Sequence, residues 1–219
     1  MSVNLIMLGP PGAGKGTQAE RFARLHNIPK ISTGDILREA VTEDSELGRI
    51  AKATMDAGKL VGDDVMIGIV QERLSRPDAR AGFVLDGFPR TVAQAQALDA
   101  MINGRGPLVV VDFVVPQEEL IRRLNQRRVC ARCGWTTAAD GEPGCLRCSG
   151  ELVQRSDDGV DVVRRRLQVY ERDTMPLVEY YRTRRSLHVI DGNRPQAEVA
   201  AAIDAAAGSA CGEGRQGNA

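Results

Sequence analysis

The nine residues GPPGAGKGT, Gly9–Thr17, constrain the fold of this chain more than any other stretch. They follow an apolar run, Val3–Leu8. Their last residue begins the segment Thr17–His26, where apolar residues recur at helical spacing. Glycines let backbone N–H groups converge on phosphate oxygens, the helix N-terminus adds positive potential, and Lys15 can reach the outer phosphates. We therefore predict a strand, a phosphate-binding loop and a helix, in preference to a glycine-rich turn with a chance lysine.

The loop departs from the general pattern G-x4-G-K-[ST] at one position. A hydroxyl residue normally follows the lysine and binds Mg²⁺, but Gly16 stands there and Thr17 comes one residue late. We therefore expect the Mg²⁺ that accompanies a nucleotide to depend on waters and on a carboxylate elsewhere. Asp86, at the end of the apolar run in FVLDGFPRT, is the candidate, because open α/β sheets bind ligands at the carboxyl ends of their strands. The alternative is that Asp86 caps a helix or turn. Arg90 follows at the same edge of the sheet, and its guanidinium could donate two parallel hydrogen bonds to a phosphate.

The rest of the chain alternates short apolar runs with helical patterns, which predicts a three-layer, doubly wound α/β fold with a parallel five-stranded sheet. Further strands are expected at Ile28–Ile31, Phe83–Leu85, Leu108–Val115 and Leu187–Ile190, and helices at Val65–Leu74, Val92–Met101, Glu118–Arg127 and Val160–Tyr181. Two segments do not fit the alternation and are predicted to be mobile insertions. We expect a core of residues 1–31, 62–127 and 159–207, insertions at 32–61 and 128–158, and a disordered tail at 208–219 that contains Cys211.

The second insertion carries four cysteines in the pattern C-x2-C-x11-C-x2-C: Cys130, Cys133, Cys145 and Cys148. This spacing is typical of tetrahedral zinc, and four thiolates leave no open coordination position, so the site is predicted to be structural. Disulfides are the alternative, and a reducing cytoplasm disfavours them. A nucleic-acid-binding knuckle would need basic and aromatic residues around the loop. The loop offers Arg132, Arg147 and Trp135 against three acidic residues.

Charge and composition disfavour nucleic acid and membranes as partners. The chain has 29 basic and 29 acidic residues, and aromatic residues make up 4%. No global field therefore attracts polyanions, and few side chains could stack on bases. No apolar stretch approaches the roughly 20 residues needed to cross a bilayer. We predict a cytoplasmic monomer. Base composition of the genome is one explanation for the many arginines, and phosphate binding is the other.

Taken together, GPPGAGKGT, ISTGDILR, DAGKLV, DGFPRT and the cysteine-bearing insertion resemble the adenylate kinase family, from Gly9 to about Asp191. The insertion is similar to the zinc-carrying lid of the long bacterial forms, although the link between its cysteine pairs is shorter than in many of them. The threonine of DGFPRT resembles adenylate kinases more than pyrimidine monophosphate kinases. The resemblance implies reversible transfer of the terminal phosphoryl group of Mg·ATP to AMP, giving two ADP, with Zn²⁺ structural in the lid.

The resemblance also implies roles for individual residues. The expected ATP site comprises Gly12, Ala13, Gly14, Lys15, Gly16, Thr17, Arg123, Arg127, Thr136, Thr137 and Arg194. The expected AMP site comprises Thr33, Arg38, Lys59, Leu60, Val61, Gly87, Phe88, Pro89, Arg90, Gln94, Arg155 and Arg166. The residues expected to act on the transferring phosphate and its metal are Lys15, Asp86, Arg90, Arg127, Arg155 and Arg166.

Spacing alone settles only part of this assignment. Arg123 and Arg127, four residues apart, are predicted to share one helix face and one ligand. Arg164, Arg165 and Arg166 cannot all face one cleft, because successive helical residues point about 100° apart, and spacing does not choose among them. No catalytic histidine is expected, because the phosphate of AMP is already an anionic nucleophile. The alternatives that remain are a sibling kinase with another acceptor or with GTP as donor, and a nucleotide-dependent nucleic-acid-binding module.

Overall fold

The computed structural model describes residues 3–138, 143–184 and 186–213, and it has the predicted three-layer α/β architecture. Five parallel strands form the central sheet in the order β2-β3-β1-β4-β8. They are β1 (Val3–Leu8), β2 (Lys30–Ser32), β3 (Gly82–Asp86), β4 (Leu108–Val114) and β8 (Leu187–Asp191). All five predicted strands are confirmed, with ends that differ by at most two residues.

The helices cover both faces of this sheet. They are α1 (Lys15–His26), α2 (Thr33–Thr42), α3 (Glu46–Asp56), α4 (Asp63–Ser75), α5 (Val92–Ile102), α6 (Gln117–Gln126), α7 (Val160–Val169), α8 (Pro176–Arg182) and α9 (Gln196–Glu213). Short 3₁₀ turns lie at Pro77–Ala79 and Ser156–Asp158. No helix within the described ranges is both long enough and apolar enough to span a membrane.

Strand β1 shows why the fold has three layers. All six of its residues are buried. Val3, Leu5 and Met7 pack into one apolar core, whereas Ile6 and Leu8 pack into a second core on the opposite face. Successive side chains of a strand point to opposite faces, so a parallel strand covered on both sides is apolar along most of its length. The exception in β1 is Asn4, whose buried side chain donates to the carbonyl of Arg105 at 3.1 Å.

The prediction of one uninterrupted α-helix over Val160–Tyr181 is wrong for the middle of that segment. Residues Tyr170–Thr174 form a π-helical turn between α7 and α8, in which the Met175 N–H donates to the carbonyl of Tyr170 at 2.9 Å. Pro176 explains the break, because proline has no N–H to continue the helix and its ring crowds the preceding turn.

The cysteine-bearing insertion contains a small antiparallel sheet that the aperiodic sequence did not reveal. Its strands, in the order β6-β5-β7, are β5 (Arg127–Cys130), β6 (Thr136–Ala138) and β7 (Leu152–Val153). Strands of two to four residues are too short to show an alternating apolar pattern.

The predicted disordered tail is wrong for residues 208–213, because α9 continues to Glu213. Small, polar residues suggested a tail, but Ala206 and Ala207 are buried against the core and support the helix as far as that turn. Residues 214–219 lie outside the described part of the chain. The predicted boundaries of the two insertions remain predictions.

Candidate active site

One large cavity, of about 1020 Å³, opens at the carboxyl ends of β1 and β3. Its wall includes the phosphate loop, Asp86, the first turns of α2, and Thr136 of the cysteine-bearing insertion. Of the residues predicted to bind nucleotide, all line this cavity except Phe88, which is 1% exposed and packs in the core. The fold therefore brings together predicted residues from Gly12 to Arg194, near opposite ends of the chain.

The loop from Gly9 to Lys15 has the backbone shape expected of an anion-binding turn. Gly9, Gly12 and Gly14 have φ values of 135°, 88° and 91°, a region that residues with a Cβ rarely adopt. Lys15 begins α1, and its Nζ donates to the carbonyls of Gly9 and Pro10, both at 2.7 Å. These two hydrogen bonds fix the Lys15 ammonium group against the beginning of the loop.

Desolvation in the cavity lowers the pKa of Lys15 to about 8, although the neighbouring carboxylate of Asp86 opposes the shift. Asp86 also lies against the loop itself, because a Cβ on Gly16 would be 3.2 Å from Asp86 Oδ2. This proximity gives a physical reason for glycine where the general pattern has a hydroxyl residue. A carboxylate beside the phosphate loop fits a hydrated Mg²⁺.

Four arginines line the cavity: Arg90, Arg127 and Arg166, whose charges act on Lys15, and Arg155, whose charged neighbours include Arg127. Burial, together with the charge of neighbouring arginines, lowers the pKa of Arg90 and of Arg155 to about 10. The Nε of Arg155 is buried and has no hydrogen-bond partner among the described residues. Such a concentration of desolvated cations is an environment that a polyphosphate would stabilise.

Two carboxylates that the sequence analysis missed hold these arginines together. Asp158 is 0% exposed and pairs with both Arg127 and Arg166, the second at 3.3 Å. Asp157 Oδ2 lies 2.9 Å from Arg166 Nη1. The sequence feature that could have identified them is that both aspartates follow closely after Arg155, although the segment has no apolar periodicity to predict their orientation.

The structure resolves the choice among the three consecutive arginines of α7. The Arg166 side chain is 21% exposed and faces the cavity, whereas the Arg164 side chain is 69% exposed and pairs with Asp161. Arg165 is also exposed. The turn of the helix therefore places a single member of the triplet at the site.

The predicted shared helix face of Arg123 and Arg127 is wrong. Helix α6 ends at Gln126, and Arg127 has extended backbone angles, φ −66° and ψ 133°, as the first residue of β5. Arg123 donates to Glu119 at 2.7 Å and to the carbonyl of Gly192 at 3.0 Å, whereas Arg127 pairs with Asp158. Both still line the cavity, because the chain turns into the insertion at that point.

On the opposite side of the cavity, α2 and the loop after β3 form a second wall. Thr33 Oγ1 donates to the carbonyl of Gly87 at 2.9 Å, and Arg90 Nε donates to the same carbonyl at 2.8 Å. Arg38 pairs with Asp35. Burial would raise the pKa of Asp35, but Arg38 and Lys30 outweigh it and lower that pKa to about 2.

The four cysteines of the insertion form a compact cluster of free thiols, with all four Sγ atoms within 4.8 Å of one another. Cys130 Sγ lies 3.5 Å from Cys148 Sγ, and Cys133 Sγ lies 3.5 Å from Cys145 Sγ. Tetrahedral zinc with Zn–S bonds of about 2.3 Å would place its sulfur ligands about 3.8 Å apart. The donor set and its spacing therefore fit a zinc ion.

Comparisons with known proteins agree with this geometry. The sequence model of the family described as adenylate kinase matches residues 7–186. The chain is 51% identical over 199 residues to an adenylate kinase of Archaeoglobus fulgidus, which covers 88% of this chain and 92% of the relative. It is 50% identical over 204 residues to one of Geotalea daltonii, covering 90% and 95%. It is 49% identical over 213 residues to one of Moorella thermoacetica, covering 94% and 98%.

Proposed function

Since this chain belongs to the adenylate kinase family, and is thus a nucleoside monophosphate kinase, we propose that it transfers the terminal phosphoryl group of Mg·ATP to AMP reversibly, giving two ADP. The observation that carries the proposal is the convergence of Lys15 and four arginines on the cavity that contains the phosphate loop. ATP would occupy the side formed by the loop, Arg123 and Thr136. AMP would occupy the side formed by α2 and Gln94, with the Gln94 amide at its adenine base.

The reaction needs alignment and charge neutralisation more than proton transfer. A phosphate oxygen of AMP attacks the γ-phosphorus in line, the bond from that phosphorus to the β-phosphate oxygen breaks, and ADP leaves with the electron pair. The attacking oxygen is already anionic at neutral pH, so no general base is required. Lys15 and the arginines would neutralise the charge spread over the transferring group.

Mg²⁺ and Zn²⁺ would have separate places and duties. Asp86, beside the loop at Gly16, is the residue that would hold the hydration shell of the magnesium ion. That ion would supply charge neutralisation between the donor phosphates. The four cysteines would hold zinc, which would stabilise the insertion without taking part in transfer.

The insertions 32–61 and 128–158 would close over the two nucleotides and exclude water, since an open site would hydrolyse ATP wastefully. Ser156 Oγ donates to Asp56 Oδ1 at 3.0 Å and joins the second insertion to α3 of the first. A cytoplasmic location, a monomeric state and the absence of nucleic-acid and membrane partners remain predictions.

The test is ADP formation from Mg·ATP with AMP, CMP, UMP and GMP as acceptors. We expect a clear preference for AMP, and a preference for CMP or UMP would overturn the proposal. With AMP, Arg166→Ala should lower turnover about 10³-fold, as loss of a phosphate-stabilising arginine typically does. Arg164→Ala, an exposed neighbour on the same helix, is the matched control and should stay within a few-fold of the parent.

A further inference from the structure

Asp63, in the first turn of α4, is a residue that the sequence analysis did not select and that lies behind the cavity wall. Its carboxylate accepts two hydrogen bonds from the segment that begins α5. Oδ1 accepts from Gln94 Nε2 at 2.8 Å, and Oδ2 accepts from Thr91 Oγ1 at 2.9 Å. Thr91 in turn caps α5 by accepting from the Gln94 N–H at 3.2 Å. Asp63 is therefore tied to Gln94 both directly and through the helix cap.

Gln94 is held on its other side as well. Its Oε1 accepts from the backbone N–H of Arg90 at 2.7 Å, and the residue is 2% exposed. The oxygen and nitrogen of a side-chain amide have nearly the same shape, so shape alone would allow either of two orientations. The partners do not allow both, because a carboxylate only accepts hydrogen bonds and a backbone N–H only donates. Gln94 Nε2 must face Asp63, and Oε1 must face Arg90.

This orientation leaves the amide with one N–H and one oxygen lone pair unused, and Gln94 lies on the cavity wall. A 6-aminopurine such as adenine presents an amino donor next to a ring-nitrogen acceptor. A 6-oxopurine, hypoxanthine or guanine, presents a carbonyl acceptor next to an N–H donor. A fixed amide can match only one of these two arrangements, whereas an amide that turns over could match either.

We propose that Asp63 is a specificity-determining positioning residue, which locks the Gln94 amide in the orientation that accepts adenine and rejects 6-oxopurine monophosphates. The inference rests on the proposed function, in which Gln94 lies at the acceptor base. To receive a 6-oxopurine, Gln94 would have to turn its oxygen toward the Asp63 carboxylate and its NH₂ toward the N–H of Arg90. An acceptor would then face an acceptor at Asp63, and a donor would face a donor at Arg90. Buried polar groups left without a partner in this way are how a polar site rejects a close analogue of its ligand.

Asp63→Asn is the sharpest test because it keeps the shape and removes the constraint. An asparagine amide can itself turn over to meet either orientation of Gln94, and the Thr91 hydroxyl both donates and accepts. Only the N–H of Arg90 would then favour one orientation. Asp64→Asn is the matched control, since Asp64 is exposed and lies in the same first turn of α4, where a carboxylate has the same effect on the helix dipole.

The measurement is kcat/KM with AMP and with IMP, which carries the 6-oxo group without the 2-amino group of guanine. We expect Asp63→Asn to reduce the ratio of AMP to IMP about tenfold or more, the effect typical of losing a hydrogen bond to a charged group. Turnover with AMP should stay within a few-fold of the parent. Asp64→Asn should leave the ratio unchanged. An Asp63→Asn ratio equal to that of the control would overturn the inference, however much total activity falls.

A second variant keeps the test decisive if Asp63→Asn does not fold, as judged by thermal unfolding. Thr91→Ala removes the hydroxyl that holds Asp63 Oδ2, so it should shift the ratio in the same direction by a smaller factor. An unchanged ratio in a folded Thr91→Ala variant would count against the lock. Failure of the proposed function is recognised separately, because the parent protein would then prefer a pyrimidine monophosphate before any variant is measured.

Discussion

At the scale of single residues, important cavity side chains are held by carboxylates that no sequence motif marks. Asp158 joins Arg127 to Arg166, and Asp63 orients Gln94. Lys15 differs, because two backbone carbonyls hold its ammonium group and nearby cations oppose its charge. The cavity therefore holds a cation that has lost water and whose charge Asp86 offsets only in part.

The lowered pKa of Lys15 makes the stability of the unliganded protein depend on pH. Between about pH 8 and the ordinary lysine range, the unfolded chain binds more protons at this residue than the folded chain does. The contribution of Lys15 to the free energy of unfolding should therefore rise with pH in that window. Urea unfolding of the parent and of Lys15→Met at pH 7 to 10 measures it. The parent should gain about 2 kcal/mol relative to the variant, and a constant or falling difference would contradict the assignment.

At the scale of elements, the ends and contacts of helices decide where functional side chains point. Helix α6 stops one residue before Arg127, and the π-helical turn lets Thr174 Oγ1 donate to the carbonyl of Arg90 at 3.0 Å. Helices α2 and α3 are in close backbone contact at Gly48, where a Cβ would overlap the carbonyl oxygen of Ala40. The α2 wall of the cavity therefore depends on a glycine that is not itself among the cavity-lining residues.

Replacement of Gly48 should separate this packing effect from helix propensity. We expect Gly48→Ala to lower the free energy of unfolding by about 1–3 kcal/mol, because the two helices must move apart. Gly68→Ala is the control, since Gly68 lies within α4 and nothing lies within 4 Å of its added Cβ. That variant should gain about 0.5–1 kcal/mol. Denaturant unfolding measures both, and equal stabilities for the two variants would show that the overlap relaxes without cost.

At the scale of the whole molecule, the cysteine-bearing insertion is the part with the least apolar core. Cys130 and Cys145 are its buried apolar residues in the described ranges, and its strands have two to four residues. Segments this small usually need a metal or disulfide staple to fold. The same insertion carries both Thr136 and Arg155, so its folding determines whether these two cavity residues reach the site together.

Removal of the metal should therefore affect stability before it affects chemistry. We expect chelation or Cys130→Ser to lower the thermal unfolding temperature, while AMP-dependent ADP formation at low temperature largely persists. Cys211→Ser, outside the C-x2-C-x11-C-x2-C pattern of the sequence, is the matched control and should leave both unchanged. Immediate loss of turnover with an intact fold would show instead that the metal takes part in transfer.

The sequence by itself determined the elements that depend on local patterns. The five strands, the phosphate loop and the four-cysteine spacing follow from apolar periodicity, glycine conformations and ligand geometry, all of which act over a few residues. Helical spacing left open which arginine of the α7 triplet faces the cavity, and the family resemblance pointed to Arg166. Only the tertiary structure showed that Arg166 lies there, that α6 ends at Gln126, that Asp63 binds Gln94, and that Asp158 pairs with Arg127. These outcomes depend on contacts between segments far apart in the chain, and for a charged side chain such contacts decide whether water or another residue becomes its partner.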